Sequence, residues 1–549
     1  MNKFFNTAGP IKPEMHYYIS SADRIDWDEI DMLIAGQKYF LLHAPRQTGK
    51  TSALLEMMER INRKGDYNVL YANIEAAQAA RNNIEAGIGV VCESIVSSAK
   101  IYINNEEIGS WYKSDGLTYK PENQLNSLLT HFAQISSKPL VLFLDEVDAL
   151  VGDTLISLLR QIRAGYAQRP EYFPQSIVLC GLRDIRDYRI HRSDGEIITG
   201  GSAFNIKSES LRMGNFTYEE NKDLYLQHTK ETGQTFSEEI YPELWEDTKG
   251  QPWLVNALAY EMTWKIKQLR DRAVPITIEH YHVAKENLIR SRATHLDQLA
   301  DKLKEPRVHR VISKLLAGDQ GEIQNQTQEE MSDDDLQYLA DLGLITIKPK
   351  IAISNRIYQE IIPRELTFST QYMIPNQEQQ WYLTPGEKQN SHYLNIPKLL
   401  QAFQQYFREN SESWIERFDY KEAGPQLLIQ AFLQRIINGG GRINREYGLG
   451  SKRTDLSIEW PIDPEQGYFG EVQRIIIELK IHHKKHKLET IITEGLQQTA
   501  EYADKQSANE AHLIIFNRDK EISWDEKIWQ DNKTYRVGNQ QRDIGVWGC

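Results

Sequence analysis

A lysine set between an apolar run and a helix-forming run constrains this chain more than anything else in it. Residues 38–43 (KYFLLH) suit a short buried strand, and the chain then passes through APRQTGKT into SALLEMMERI, which is rich in helix formers. That order gathers loop N–H groups and the positive end of a helix dipole around one point, the arrangement that holds a phosphate. Gly49, Lys50 and Thr51 match the end of the GxxxxGK[ST] pattern, so Lys50 is expected on the outer phosphates and the Thr51 hydroxyl on Mg²⁺. Pro45, Arg46, Gln47 and Thr48 fill the loop, and Ser52 follows in the first helical turn. Ala44 stands where the pattern has its first glycine, and alanine is tolerated there if φ stays negative.

A second strand supports the first. Residues 139–144 (PLVLFL) form a continuous apolar run ending in Asp145, Glu146, Val147 and Asp148. This has the form of a Walker B strand, with Asp145 holding Mg²⁺ through water and Glu146 orienting and deprotonating the attacking water. A strand-end turn rich in acids is the bland alternative. Two more apolar runs, 68–72 (NVLYA) and 176–180 (SIVLC), complete a βαβ series and hence a parallel sheet. After the last of them comes GLRDIRDYRIHR, whose arginines fall at the carboxyl edge where ligands sit in open α/β sheets. Arg183 is the candidate for the γ-phosphate, in the same subunit or across an interface, although a basic loop paired with Asp184 and Asp187 fits the same residues.

The bulk numbers bound the rest. A chain of 549 residues with 40% hydrophobic residues needs several packed units rather than one core. A net charge of −13 excludes whole-surface attraction to nucleic acid, so any DNA contact is local. Cys92, Cys180 and Cys549 are far apart and encode neither a disulfide framework nor a zinc knuckle. No apolar run reads as approaching the ~20 residues of a membrane span, and a cytoplasmic protein without membrane contact is expected.

With those residues in place, the chain resembles bacterial AAA-like ATPases whose N-terminus reads FNTAGPI…HYY and whose loop reads HAPRQTGKT, and it looks related to archaeal-type and STAND switch ATPases. The stretch LRMGNFTYEENKDLYLQH is similar to the lid entry of origin-recognition ATPases. In GQPWLVNALA, Gly250 and Pro252 are similar to the GxP element of STAND proteins, which implies a proline near the nucleotide; a turn followed by a proline at a helix start explains the same residues. Residues 206–299 read as a helical lid, with Thr217 before an acidic first turn. Residues 300–368 have the outline of a winged helix, but Asp333, Asp334 and Asp335 on its second helix repel phosphate, so an intramolecular switch element is expected. Residues 369–400, Gln-rich and broken by proline, read as a linker.

The C-terminal stretch 401–549 carries a different chemistry. A helix after Pro425 leads to a hairpin whose second strand alternates Asp455, Ser457 and Glu459 with Leu456, Ile458 and Trp460. In the following run, RIIIELKI, a period of two places Glu478 and Lys480 on one face among isoleucines. Charges in an apolar strand cost several kcal/mol unless they are paired or hold a metal. Two carboxylates and a lysine suit Mg²⁺-assisted phosphodiester hydrolysis; a structural ion pair satisfies the pattern too. Downstream, Gln498 and Tyr502 lie four apart on one helix face. The constellation resembles the PD-(D/E)XK nuclease superfamily, with Asp455, Glu478 and Lys480 at its core positions and Gln498 and Tyr502 as the QxxxY element of RecB-like members. It departs from that superfamily in the first helix, where Gln426, Gln430 and Gln434 stand and the nearest acid is Glu422. The run KIHHKKHK directly after Lys480 is either a phosphate contact or a solvated loop.

The resemblances together imply an α/β multidomain protein: an AAA-type parallel-sheet core (1–205), helical lid, winged helix, linker and a restriction-endonuclease-like domain (401–549). The expected function is an ATP-controlled, Mg²⁺-dependent DNA nuclease suited to defence against foreign DNA, with DNA at the C-terminal domain and a homo-oligomer as the partners considered. A STAND-type scaffold whose nuclease-like domain only holds DNA or a partner is the alternative.

Overall fold

The computed structural model describes residues 3–182, 189–191, 197–199, 207–291, 294–317, 332–366, 381, 392–417, 423–437, 440–449, 452–482, 487–517, 519, 521–537 and 540–549. The chain divides into two compact units, Met1–Ile276 with Leu336–Ile345, and Thr277–Asp335 with Thr346–Cys549.

In the first unit, β1 (Tyr39–His43), β2 (Asn68–Asn73), β3 (Leu140–Asp145), β4 (Ser176–Gly181) and β5 (Lys207–Arg212) pair in the order β2-β3-β4-β1-β5. Every pairing is parallel. Such a sheet must be covered on both faces, which is why β1, β3 and β4 are unbroken buried runs. Against one face pack Ile88, Val91 and Ile95 of the helix Ile84–Ile103, with Leu128 and Leu158 from two further helices. Against the other pack Leu33 and Ile34, with Leu54, Met57 and Ile61 of the helix Lys50–Lys64. Contrary to the expectation of no span-length apolar run, Ile84–Ile103 is long and apolar enough by length and composition to cross a membrane. Its apolar side is spent on this core.

After β5, the helix Tyr218–Thr232 opens with a full capping box between Thr217 and Glu220, as the acidic first turn predicts. The helices Ile240–Thr248 and Pro252–Tyr260 follow. The N-terminal pair Phe4–Phe5 and His16–Tyr17 is a two-stranded parallel ribbon, with Phe5 in ring contact with Tyr17 and Tyr225.

In the second unit, β6 (Arg442–Leu449), β7 (Lys452–Pro461), β8 (Val472–His482), β9 (Glu510–Asn517), β10 (Trp529–Val537) and β11 (Gln540–Gly548) form a mixed sheet ordered β6-β7-β8-β9-β11-β10. The β6–β7–β8 meander is antiparallel, and β8, β9 and β11 run parallel. A crossover between parallel neighbours requires a helix, supplied by Leu488–Lys505, whose Leu496, Ala500 and Ala503 bury against Ile476, Leu513 and Ile515. Helices Ile278–Arg290 and Arg356–Leu366 belong to this unit and are joined by buried ion pairs, Lys285 to Glu360 at 2.8 Å and Arg364 to Glu286 at 3.3 Å. Most of the expected linker and the Lys-rich residues 483–486 lie outside the described residues.

Candidate functional site

The phosphate loop runs from β1 into the helix Lys50–Lys64. Its backbone turns left-handed at Gln47 (φ 57°) and Gly49 (φ 93°), and not at Ala44. Alanine therefore serves at the first position because no left-handed turn is asked of it. The Lys50 ammonium is buried and donates to the carbonyls of Ala44 at 3.0 Å and Pro45 at 3.1 Å, so it is held across the mouth of the loop. Thr48 closes the loop on itself by donating its hydroxyl to Pro45 O at 2.8 Å. Arg46 is exposed, and Ser52 Oγ accepts from the N–H of Ile11 at 3.0 Å, which ties the N-terminal segment to the first turn of the helix.

One strand, β4, separates β1 from β3, so the acids at the end of β3 face the loop across one intervening strand. Thr51 Oγ1 donates to Asp145 Oδ2 at 2.7 Å, and Tyr71 OH donates to the same oxygen at 3.0 Å. A hydroxyl and a fully buried carboxylate meeting in this way are the hard oxygen ligands a divalent cation takes. Glu146 sits beside them in the left-handed region (φ 61°, ψ 39°), a conformation that costs a non-glycine residue energy and clusters at functional sites. Burial pushes its carboxyl up to about 7, with Asp148 adding to the shift and Lys50 opposing it. Asp148 accepts from the N–H of Leu182 at 3.2 Å and so fixes the end of β4. Arg183, the expected γ-phosphate contact, lies outside the described residues.

Pro252 occupies the first turn of its helix, buried, and Gln251 just before it donates to Gln47 O at 3.4 Å. The GQP turn therefore reaches the phosphate loop. Gly250 (φ 71°) is required there, because a Cβ would stand 1.9 Å from the carbonyl oxygen of Phe216. Sequence reasoning missed Tyr71 and Arg24, both of which touch this site. Tyr71 was legible as the inward side chain of the neighbouring strand; Arg24 carried no motif.

The second constellation lies on β7, β8 and the helix Leu488–Lys505. Leu456 pairs with Ile477, so one step further Asp455 stands opposite Glu478, and cross-strand neighbours share a face. Asp455 Oδ2 accepts from the N–H of Leu479 at 2.8 Å. Lys480 Nζ donates to Glu478 Oε1 at 3.0 Å. Glu478 is 2% exposed, and its Oε2 has no hydrogen-bond partner among the described residues. Burial raises its carboxyl well above the ordinary range, with Asp455 adding to the shift and Lys480 opposing it. The buried Tyr502 phenol is raised to about 12 by burial first and then by Glu478, which places it within the field of the same group. Gln498 lies one helical turn earlier, with Oε1 buried and unpartnered among the described residues. On the first helix Gln430 and Gln434 are buried and Gln426 is not described at the side-chain level, while Glu422 lies outside the described residues. The polar side of β7 is more covered than its alternation implies: Ser457 is buried and Glu459 is paired with Arg442.

The fold and the first of these sites define the class: a P-loop ATPase with a five-stranded parallel core. The model of the AAA-like domain family matches residues 7–362, and the chain belongs to that family. Among solved structures, the chain is similar to the Walker-type ATPase PABY2304 of Pyrococcus abyssi, at 13% identity and a TM-score of 0.43, over 65% of this chain and 99% of that one. It is also similar to the ORC2 protein of Aeropyrum pernix in its ADPNP-ADP complexes, at 12% identity and a TM-score of 0.35, over 62% and 91% of the two chains. The RuvB protein of Thermotoga maritima matches at 12% identity and a TM-score of 0.34, over 63% of this chain and 98% of that one. No curated protein matches.

Proposed function

We propose that the chain hydrolyses ATP with Mg²⁺ in its first unit and that nucleotide state controls a Mg²⁺-dependent DNA nuclease in its C-terminal domain, acting in the cytoplasm in defence against foreign DNA. Thr51 and Asp145 would hold one cation; Asp455 and Glu478 would hold the other, where the partnerless Glu478 Oε2 fits a hard ion. At either place Mg²⁺ supplies positive charge against phosphate oxygens that gain negative charge during transfer. In the first unit Lys50 balances charge on the outer phosphates and Glu146 takes a proton from the attacking water. In the second, Lys480 orients the water against the scissile phosphate, and Gln498 and Tyr502 flank it. Arg183 serves the same nucleotide or that of a neighbouring copy, which makes a homo-oligomer part of the proposal.

The observation that carries the nuclease reading is a buried carboxylate with one oxygen unpartnered among the described residues, set on the same face as a second carboxylate and hydrogen-bonded to a lysine. The test is incubation of supercoiled and linear DNA with Mg²⁺, with and without ATP. Wild type is expected to cut and Lys480→Ala to lose at least about a hundredfold in rate; equal cleavage by both removes the site. One observation favours a domain that binds DNA or a partner without cutting: the buried side chains on its first helix include Gln430 and Gln434 where the nuclease superfamily often offers a glutamate. DNA retention without cleavage in the same assay would select that reading.

A further inference from the structure

We propose that Arg24 is a positioning residue of the ATP site, orienting a loop amide toward the phosphates from outside the loop. The inference rests on reading the first unit as a nucleotide site. Arg24 comes from the short 3-10 turn Ser21–Arg24, upstream of β1 and outside the loop motif. Its Nη2 donates to Thr48 O at 2.7 Å and lies 3.6 Å from Met213 Sδ, and its Nη1 donates to Gly214 O at 3.0 Å. Its guanidinium carbon sits 5.0 Å from the centre of the Phe216 ring. A Cβ at Gly49 would stand 3.1 Å from Nη2, so the guanidinium lies directly against the loop.

The consequence follows from peptide geometry. In a planar trans peptide the C=O and the next N–H point in opposite directions. A guanidinium that draws the Thr48 carbonyl outward therefore turns the Gly49 N–H inward, to the side of the loop where phosphate oxygens are held. A hydrogen bond from a cation is also stronger than one from a neutral donor, and it polarises the peptide so that its N–H becomes a better donor to an anion. Gln251 does the same at the preceding peptide, more weakly, through Gln47 O at 3.4 Å. The same guanidinium holds Gly214 and rests on Phe216, which lead directly to the Thr217 cap of the lid helix. One side chain thus fixes the loop amide and the entry to the lid together.

The test is titration of Arg24→Met, Arg24→Lys and Phe216→Leu with ADP and MgATP, alongside melting curves and steady-state hydrolysis. Arg24→Met is expected to weaken both nucleotides by about tenfold or more while kcat at saturation stays within about threefold, and Arg24→Lys is expected to recover part of the affinity. Phe216→Leu removes the ring under the guanidinium and reports packing alone. Tight binding by Arg24→Met overturns the proposal. So does an equal loss of affinity in Phe216→Leu at matched melting temperature. Failure of the wild type to bind either nucleotide is a different result, which removes the ATP site itself.

Discussion

Glu146 combines a left-handed backbone with a carboxyl raised to about 7, so its protonation state changes near neutrality. A base must be unprotonated to act. ATP hydrolysis at saturating MgATP is therefore expected to rise from pH 6 to pH 8 with an inflection near 7, and Glu146→Gln to bind ATP while losing about a hundredfold or more of the rate at every pH. A flat wild-type profile would remove Glu146 from that role. Glu478 gives the second expectation at this scale. Its folded-state value lies above its unfolded one, so the folded protein binds the extra proton. The stability it contributes is complete below the ordinary glutamate range and is lost as pH rises through the raised value. Melting of the metal-free protein should fall with pH more steeply for wild type than for Glu478→Gln, and Mg²⁺ should restore the wild type at high pH. The loop residues and both acid pairs were legible from residue type and spacing. Arg24 was not, because an arginine that holds a carbonyl has no fixed distance in sequence from the loop it holds.

Among the elements, legibility followed burial. β1, β3 and β4 were readable because strands covered on both faces must be apolar throughout. β5 reads KSESLR and β10 reads WQDNKTYRV; both lie at sheet edges, where one side pairs and polar residues are tolerated, so neither announces itself by pattern. The helix Tyr218–Thr232 was readable from its cap, since Thr217 and Glu220 satisfy each other's amides. The turn before Pro252 supplies the expectation here. Gly250→Ala demands a left-handed alanine whose Cβ overlaps the Phe216 carbonyl, a loss of about 3 kcal/mol or more in urea unfolding monitored on the first unit. Near-wild-type stability would show that the turn is not so constrained.

At the scale of the molecule, units and sequence order part company. The first unit takes in Leu336–Ile345, a segment flanked on both sides by residues of the second. Leu336, Leu339 and Leu344 are buried, Arg212 donates to Ala340 O at 3.0 Å, and a Cβ on Gly343 would lie 2.9 Å from Pro45 of the phosphate loop. No pattern in the sequence gives this assignment, since the same residues read equally well as the middle of a winged helix. A truncation ending at Ile276 is expected to melt at a lower temperature and to bind MgATP more weakly than the full chain, and addition of a peptide spanning 332–346 should recover part of both. Equal melting and binding by the truncation would show that the segment is not needed.

Residues 336–345 also set a timetable and a rule of inheritance. During synthesis the ATPase cannot finish folding when its own strands have emerged; it must wait for the 59 residues of 277–335 that belong elsewhere, and a stalled ribosome would leave it incomplete. A single recombination event cannot hand the whole second unit to another protein without taking residues 336–345 of the ATPase unit along.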